Sequence, residues 1–299
     1  PRSTLFPYTT LFRSAVVGRG GILPPVQAGA YLVNDSMLRI LIDKPVVEHA
    51  SNLGAIIADA IARPLGIPAY IYDSVATDEL EDIARLSGMP LIPRISTFHA
   101  LNSRAVAREL ARSMGSAYQD LNFIVAHLGG GISLSVHRHG RVVDVISDDE
   151  GPFSPERAGK VPCNKLIDLC FSGLYQKKQV KEMLRGNGGL KAYLGTTDLQ
   201  EVENRIQNGD VQALLCFETM GYQIAKGIGE LSTVVDGKID AIILTGGMAH
   251  NTRLTEYIKQ KTIFIAPVFV MPGELEMQAL ALGTLRVLRK EEQARSFIQ

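Results

Sequence analysis

Two apolar segments of this chain run straight into glycines, and any fold must accommodate both. "LNFIVAHL" leads into Gly129, Gly130 and Gly131, and "DAIILT" leads into Gly246 and Gly247. After the triple glycine the chain resumes as "ISLSVHRHGRVVDVI", the pattern of a β-hairpin that turns at His139-Gly140. Glycines placed directly after a strand let another group approach the backbone, and phosphate oxygens held by successive N–H groups are a frequent reason. Shortly downstream, "EGPFSPERAG" makes a proline-stiffened loop that presents Arg157. A glycine loop, His127 and a guanidinium within one short span point toward phosphoryl transfer.

The common nucleotide and hydrolase signatures do not account for these segments. The chain has no G-x-x-x-x-G-K-[ST], no G-x-G-x-x-G after a strand, no G-x-S-x-G and no H-E-x-x-H. Lys plus Arg balances Asp plus Glu at 31 each, which leaves no net field to favour nucleic acid or an anionic membrane. Apolar runs such as "TIFIAPVFVM" fall short of the roughly 18 to 20 residues needed to cross a bilayer. The three cysteines form neither a CxxC pair nor an even disulfide framework, which suits buried free thiols and a cytoplasmic location.

Alternating strand and helix patterns predict an α/β fold. Between Ala15 and Ser116 the reading is strand "AVVGRGGI", amphipathic helix "ASNLGAIIADAIARPLG", buried strand "IPAYIYD" ending at Asp73, and helix "TFHALNSRAVARELARSMG" stopped at Gly115. From Leu121 the strand and hairpin are followed by helices around "LIDLC", "KKQVKEML" and "LQEVENRIQNG", then a long helix over residues 211–235. Asn251 is placed to cap "TRLTEYIKQ", "IFIAPVFV" reads as a buried strand, and "ELEMQALALGTLRVLRKEEQ" as a final amphipathic helix. The expected division is a first lobe over 15–120, a second over 121–285 and the end of a helix over 286–299. A cleft between two such α/β units is where a ligand would bind. Residues 1–14, with the near-repeat "STLF…TTLF" and no initiator Met, read as a non-native scar-like segment.

The segments "VAHLGGGIS", "EGPFSPERAG", "EHASNLGAIIA", "AYIYDSVATDELEDIARLSG", "GNGGLKAYLGTTD", "DAIILTGGMAHN" and "APVFVMPGELEMQALALG" resemble butyrate kinase, in the acetokinase family of the actin/Hsp70/sugar-kinase superfamily. The resemblance runs from Ala15 to about Leu288. Its loop, with H-L-G-G-G rather than H-L-G-N-G, is closer to the butyrate branch than to acetate kinase. It implies two ribonuclease-H-like lobes of actin-like ATPase fold, ATP/ADP and Mg²⁺ as cofactors, a short-chain carboxylate substrate and a homo-oligomer. The implied reaction is reversible transfer of the γ-phosphoryl of ATP to butyrate or a branched analogue. A carboxylate, with a reference pKa of about 4, is already ionised and needs no general base. The demands are alignment and cations that offset the crowded negative charge.

By that resemblance Arg157 stabilises the transferring phosphoryl group and His127 hydrogen-bonds it. Asp73 holds Mg²⁺ through water or orients a cationic neighbour, with an amino-terminal cap for the next helix as the structural alternative. Arg19 would clamp the substrate carboxylate as a bidentate pair, with surrounding glycines allowing close approach. His49 and Asn52 line the acyl site, although starting a helix explains both nearly as well. Gly129, Gly130 and Gly131 hold phosphate, Thr245, Gly246 and Gly247 pass beneath adenosine, and Asn251 contacts it. Either Glu274 or Glu276 is tied to Mg²⁺. The family's opening N-P-G-S-x-S-x-K segment is not present, and "DVISDDEGPF" is slightly shorter than its counterpart. The expectation is therefore an incomplete first lobe and low turnover by the chain as it stands. Two alternatives remain: an acetate or propionate kinase, and a nucleotide-binding module of the same superfamily without transfer chemistry. Arg157 beside the triple glycine weighs against the second.

Overall fold

The computed structural model describes residues 14–46 and 48–298, so the scar-like reading of residues 1–13 lies outside the described residues. Nine strands are described: β1 Val16–Gly18, β2 Ala30–Leu32, β3 Ala69–Tyr72, β4 Asn122–Leu128, β5 Ile132–Arg138, β6 Arg141–Ile146, β7 Ala241–Gly246, β8 Val268–Pro272 and β9 Arg295–Ser296. They form two mixed sheets, ordered β1-β3-β2-β9 and β6-β5-β4-β7-β8. The chain divides into two compact units. Described residues up to Glu79, together with those from Leu275 onward, make one, and Leu80–Glu274 makes the other.

This division differs from the expected boundaries near residues 120 and 285, and packing gives the reason. The Ala100–Ser113 helix lies against β4 and β7 and buries Leu101, Val106, Ala107 and Leu110, so it belongs with the second unit. The Glu276–Leu288 helix packs on the first unit's strands. There Gly283 sits so close to the Tyr72 ring that a Cβ would lie 2.7 Å from it. Arg286 then donates to the Tyr72 hydroxyl at 2.6 Å, that hydroxyl donates to Glu292 at 2.7 Å, and the chain ends as β9 beside β2.

In the second unit, strand alternation separates two faces. Ile124, Ala126 and Leu128 on β4, Leu134 and Val136 on β5, and Ile242 and Leu244 on β7 pack in one apolar core with the Val211–Ser232 helix. The opposite face carries His127, Ser133, Ser135, His137 and Thr245, all buried. The hairpin turns at His139 (φ 49°) and Gly140 (φ 80°), as its sequence predicts. Gly115, at φ 73°, follows the Ala100–Ser113 helix as expected, and Asn251 Oδ1 caps Leu254 N at 2.8 Å.

Two expectations fail here. "IFIAPVFV" is a strand only over β8, and it is not buried, because β8 is the sheet edge and pairs with β7 alone. Phe264, read as part of it, is 83% exposed. Cys216 is buried as expected, whereas Cys163 and Cys170, at the ends of a helix lacking any buried side chain, are exposed.

His137 is fully buried on the polar face, between the Tyr118 hydroxyl at 2.7 Å from Nδ1 and Ser135 Oγ at 2.9 Å from Nε2. Burial first, and then the nearby Arg104 and Arg108, push its pKa well below the usual imidazole value. The unfolded chain therefore takes up this proton first, near pH ~6.5, so the stability contributed is complete above that pH and lost as pH falls below it. Urea unfolding at pH 7.5 and 5.5 should show a stability loss about 1 kcal/mol smaller in His137→Asn than in the parent. Equal losses would show that His137 does not govern this pH dependence.

Candidate active site

β4 and β7 run parallel, with His127 opposite Thr245 and Leu128 one residue from the first glycine. Both glycine runs therefore lie at the carboxyl ends of adjacent parallel strands, the end at which open α/β sheets receive ligands. Pairing of β4 with β5 sets Ser133 opposite His127 on the other side. A buried row of Ser133, His127 and Thr245 thus crosses three strands.

The amino-terminal turn of the Ala100–Ser113 helix closes over that row. The His99 ring stacks on the His127 ring, with centroids 3.7 Å apart and planes 7° from parallel, while His99 Nδ1 meets Ser133 Oγ at 2.9 Å. One turn on, Asn102 Nδ2 lies 3.1 Å from His127 Nδ1 and 3.2 Å from Thr245 Oγ1. On its other edge, His127 Nε2 is 3.5 Å from Glu274. It would lie 3.4 Å from a Cβ at Gly129, so this nitrogen faces the glycine loop.

One of the three glycines has a protein neighbour that requires it. A Cβ at Gly131 would stand 2.5 Å from Cζ of Arg157, so the absent side chain makes room for the guanidinium itself. The loop is further pinned where Ser154 Oγ donates to the Gly130 carbonyl at 2.5 Å and Gly129 N donates to Gly131 O at 3.2 Å. Arg157 pairs with Asp148, not with its neighbour Glu156, and Arg185 shares the same carboxylate. Burial, and then the charge of Arg185, lower the Arg157 pKa to about 10, so the group stays cationic at neutral pH. Its Nε is buried without a hydrogen-bond partner, a donor already stripped of water.

Gly246 and Gly247 separate in role. Gly246 (φ 88°) touches Leu128, whose carbonyl would lie 2.5 Å from a Cβ, so it keeps β7 packed against β4. Gly247 faces open space. It lines a groove of about 430 Å³ with Thr197, Gln200, His250 and Asn251. Thr245 points into the His127 row instead of this groove.

The remaining expected residues lie in the first unit. Asp73 is buried at a positive φ of 40°, an uncommon backbone state for aspartate, and accepts from Gly29 N at 2.8 Å. It caps no helix. Arg19 pairs with Glu276 at 2.7 Å, which separates the two glutamates: Glu276 is matched by a cation, while Glu274 is half exposed beside His127. The glycines around Arg19 are occupied by packing. Gly18 lies against the Gly54 backbone, and Gly21 against Leu41 and Asn52. His49 Nδ1 caps Ser51 N at 3.1 Å, the helix-start role the sequence allowed, whereas the Asn52 side chain caps no helix and its Oδ1 accepts from Ile22 N at 2.9 Å.

The acetokinase family model matches residues 91–266. Butyrate kinase 2 of Clostridium acetobutylicum is 51% identical over 285 residues, 95% of this chain and 80% of that protein. A probable butyrate kinase of Coprothermobacter proteolyticus is 52% identical over 286 residues with the same coverage. The chain belongs to the acetokinase family. Its fold is that of solved acetate kinases from Porphyromonas gingivalis (TM-score 0.76, 21% identity, 91% of this chain and 77% of that one) and Entamoeba histolytica (TM-score 0.77, 18% identity, 91% and 81%).

Sequence reasoning missed His99 and Asn102. The available signal was two polar residues spaced i, i+3 on the apolar face of a helix read as ordinary. The acetokinase glycines yield a direct structural test. Gly131→Ala should cost about 1 kcal/mol of stability, because a methyl group there shifts a guanidinium that is the end of a flexible, partly exposed side chain. Gly247→Ala, facing open space, should stay within about 0.5 kcal/mol of the parent. Urea denaturation of the two variants checks the contrast.

Proposed function

We propose that this acetokinase is a carboxylate kinase that converts ATP and butyrate, or a similar short or branched fatty acid, reversibly to ADP and acyl phosphate. The observation that carries this reading is the half-buried Arg157 guanidinium, its Nε buried without a hydrogen-bond partner, laid across Gly131 just beyond the strand that bears His127. The butyrate preference rests on the two butyrate kinase relatives at 51% and 52% identity.

The residues fit the implied cofactors. The groove at Gly247 and Asn251 has room for an adenosine, and the glycine loop leads from it toward Arg157 and His127. Of the two glutamates, this reading assigns Mg²⁺ to Glu274, half exposed beside His127, where the ion would offset phosphate charge; Asp73 belongs to the same proposal as a water-mediated ligand or orienting group. Arg19, with His49 and Asn52 nearby in sequence or packing, would face the acyl carboxylate, and its Glu276 partner would be exchanged for substrate. In the transfer, a carboxylate oxygen bonds to the γ-phosphorus as the bond to the bridging oxygen of ADP breaks. No proton moves. Arg157 and His127 act by donating hydrogen bonds to the equatorial oxygens, where negative charge is crowded. No described helix is long and apolar enough to cross a membrane. A cytoplasmic homo-oligomer belongs to the same proposal.

Acyl phosphate trapped as hydroxamate, across acetate, propionate, butyrate and isobutyrate, tests both reaction and substrate. Arg157→Ala should lower kcat by about 10³ to 10⁵. A variant with near-parental turnover would remove Arg157 from the chemistry, and a preference for acetate would remove butyrate from the proposal.

A further inference from the structure

We infer that Asn102 is a positioning residue that fixes the tautomer of His127, holding the ring with its proton on Nε2, toward the glycine loop. This rests on the reading of His127 as a phosphoryl ligand. A chain of donors and acceptors that begins at a main-chain carbonyl sets that tautomer.

The carbonyl of Gly273 can only accept, so the Thr245 hydroxyl, 3.2 Å away, donates to it. A hydroxyl has one proton, so toward Asn102 the Thr245 oxygen acts as acceptor. The Asn102 atom 3.2 Å from it is therefore the amide nitrogen. That same nitrogen lies 3.1 Å from His127 Nδ1 and presents its second proton there. Two hydrogens cannot occupy one hydrogen bond, so Nδ1 carries a lone pair and the neutral ring carries its proton on Nε2. Turning the amide over would set its oxygen against a hydroxyl whose proton is already committed to Gly273.

The surroundings make this arrangement rigid. Asn102 and Thr245 are both fully buried, and His127 is 1% exposed. The parallel pairing of β4 with β7 fixes His127 beside Thr245, and the stacked His99 ring fixes the plane of the imidazole. Nε2, the nitrogen nearest Glu274 and the Gly129 backbone, is thereby a donor. A donor is what a phosphoryl oxygen requires. The opposite tautomer would aim a lone pair at that oxygen and repel it.

The test reads the tautomer directly. In protein carrying ¹⁵N-histidine, two-bond ¹⁵N–¹H correlations distinguish the two neutral forms, and the signal lost in His127→Gln identifies the residue. The expected result is Nε2–H in the parent chain. Asn102→Asp keeps the shape but offers only acceptors, so it should place a proton on Nδ1 and lower kcat by about 10²-fold, as loss of one positioned donor does, with KM for nucleotide little changed. Nδ1–H in the parent would overturn the relay. Nε2–H in the parent with parental kcat in Asn102→Asp would overturn its catalytic purpose. Because the spectrum needs no turnover, Nε2–H in a chain that forms no acyl phosphate leaves the relay standing, so failure of the relay and failure of the kinase reading are read separately.

Discussion

The candidate site depends on the parallel pairing of β4 with β7. Because His127 stands opposite Thr245, the two strands end together, and the glycines after each are brought to one edge of one sheet. The antiparallel partner β5 then sets Ser133 on the far side of His127. A slip of one residue would turn His127 into the apolar core beside Leu134 and Leu244, where an imidazole has no partner, and turn Leu128 out of it. Packing of seven apolar side chains against the Val211–Ser232 helix opposes that slip, so the hydrophobic face holds the polar face in register. The row under the Ala100–Ser113 helix is polar without penalty because its members answer one another: His99 with Ser133, and Asn102 with both His127 and Thr245.

Electrostatics at Arg157 follow from the same crowding. One carboxylate, Asp148, serves two guanidinium groups, so neither has it to itself. Burial and the neighbouring Arg185 press on Arg157 enough to bring its pKa to about 10, yet leave it charged at neutral pH. A cation in that position has lost water without regaining full pairing. An anion reaching it therefore interacts across a weakly screening medium, where a charge contact is far stronger than on the surface. The glycine at 131 is the geometric condition, since any side chain there would push the guanidinium aside.

Much of this was legible locally and little of it over distance. Strands β3 to β7, the His139-Gly140 turn, the Asn251 cap and the glycine stop at 115 are decided within a few residues, and each appears where the pattern places it. The reason for Gly131 lies 26 positions downstream in Arg157, which no local pattern contains. The glycines beside Arg19 looked suited to substrate, but Gly18 and Gly21 are explained by contacts with Gly54, Leu41 and Asn52, set by how a helix docks on β1. His99 and Asn102 escaped notice because a polar residue on an apolar helix face gains meaning only once its partners on β4, β5 and β7 are known. β8 was misjudged for a related reason: an apolar run does not say whether the strand it forms is central or at an edge.

Chemistry and structure meet in what the site does not require. A carboxylate that attacks phosphorus arrives ionised, so a base beside it would have no proton to remove. On the proposed reading, His127 has no use as a base, and its surroundings agree. One nitrogen is engaged by the Asn102 amide, while the other faces the loop as a donor. Stacking on His99 adds a second constraint, because it fixes the plane of the ring. The fixed positive charge then falls to Arg157, whose guanidinium cannot be neutralised at working pH, and a neutral donor supplies direction beside it. A division between one permanent cation and one oriented neutral donor suits transfer of a group whose charge is already present and only has to be held in line.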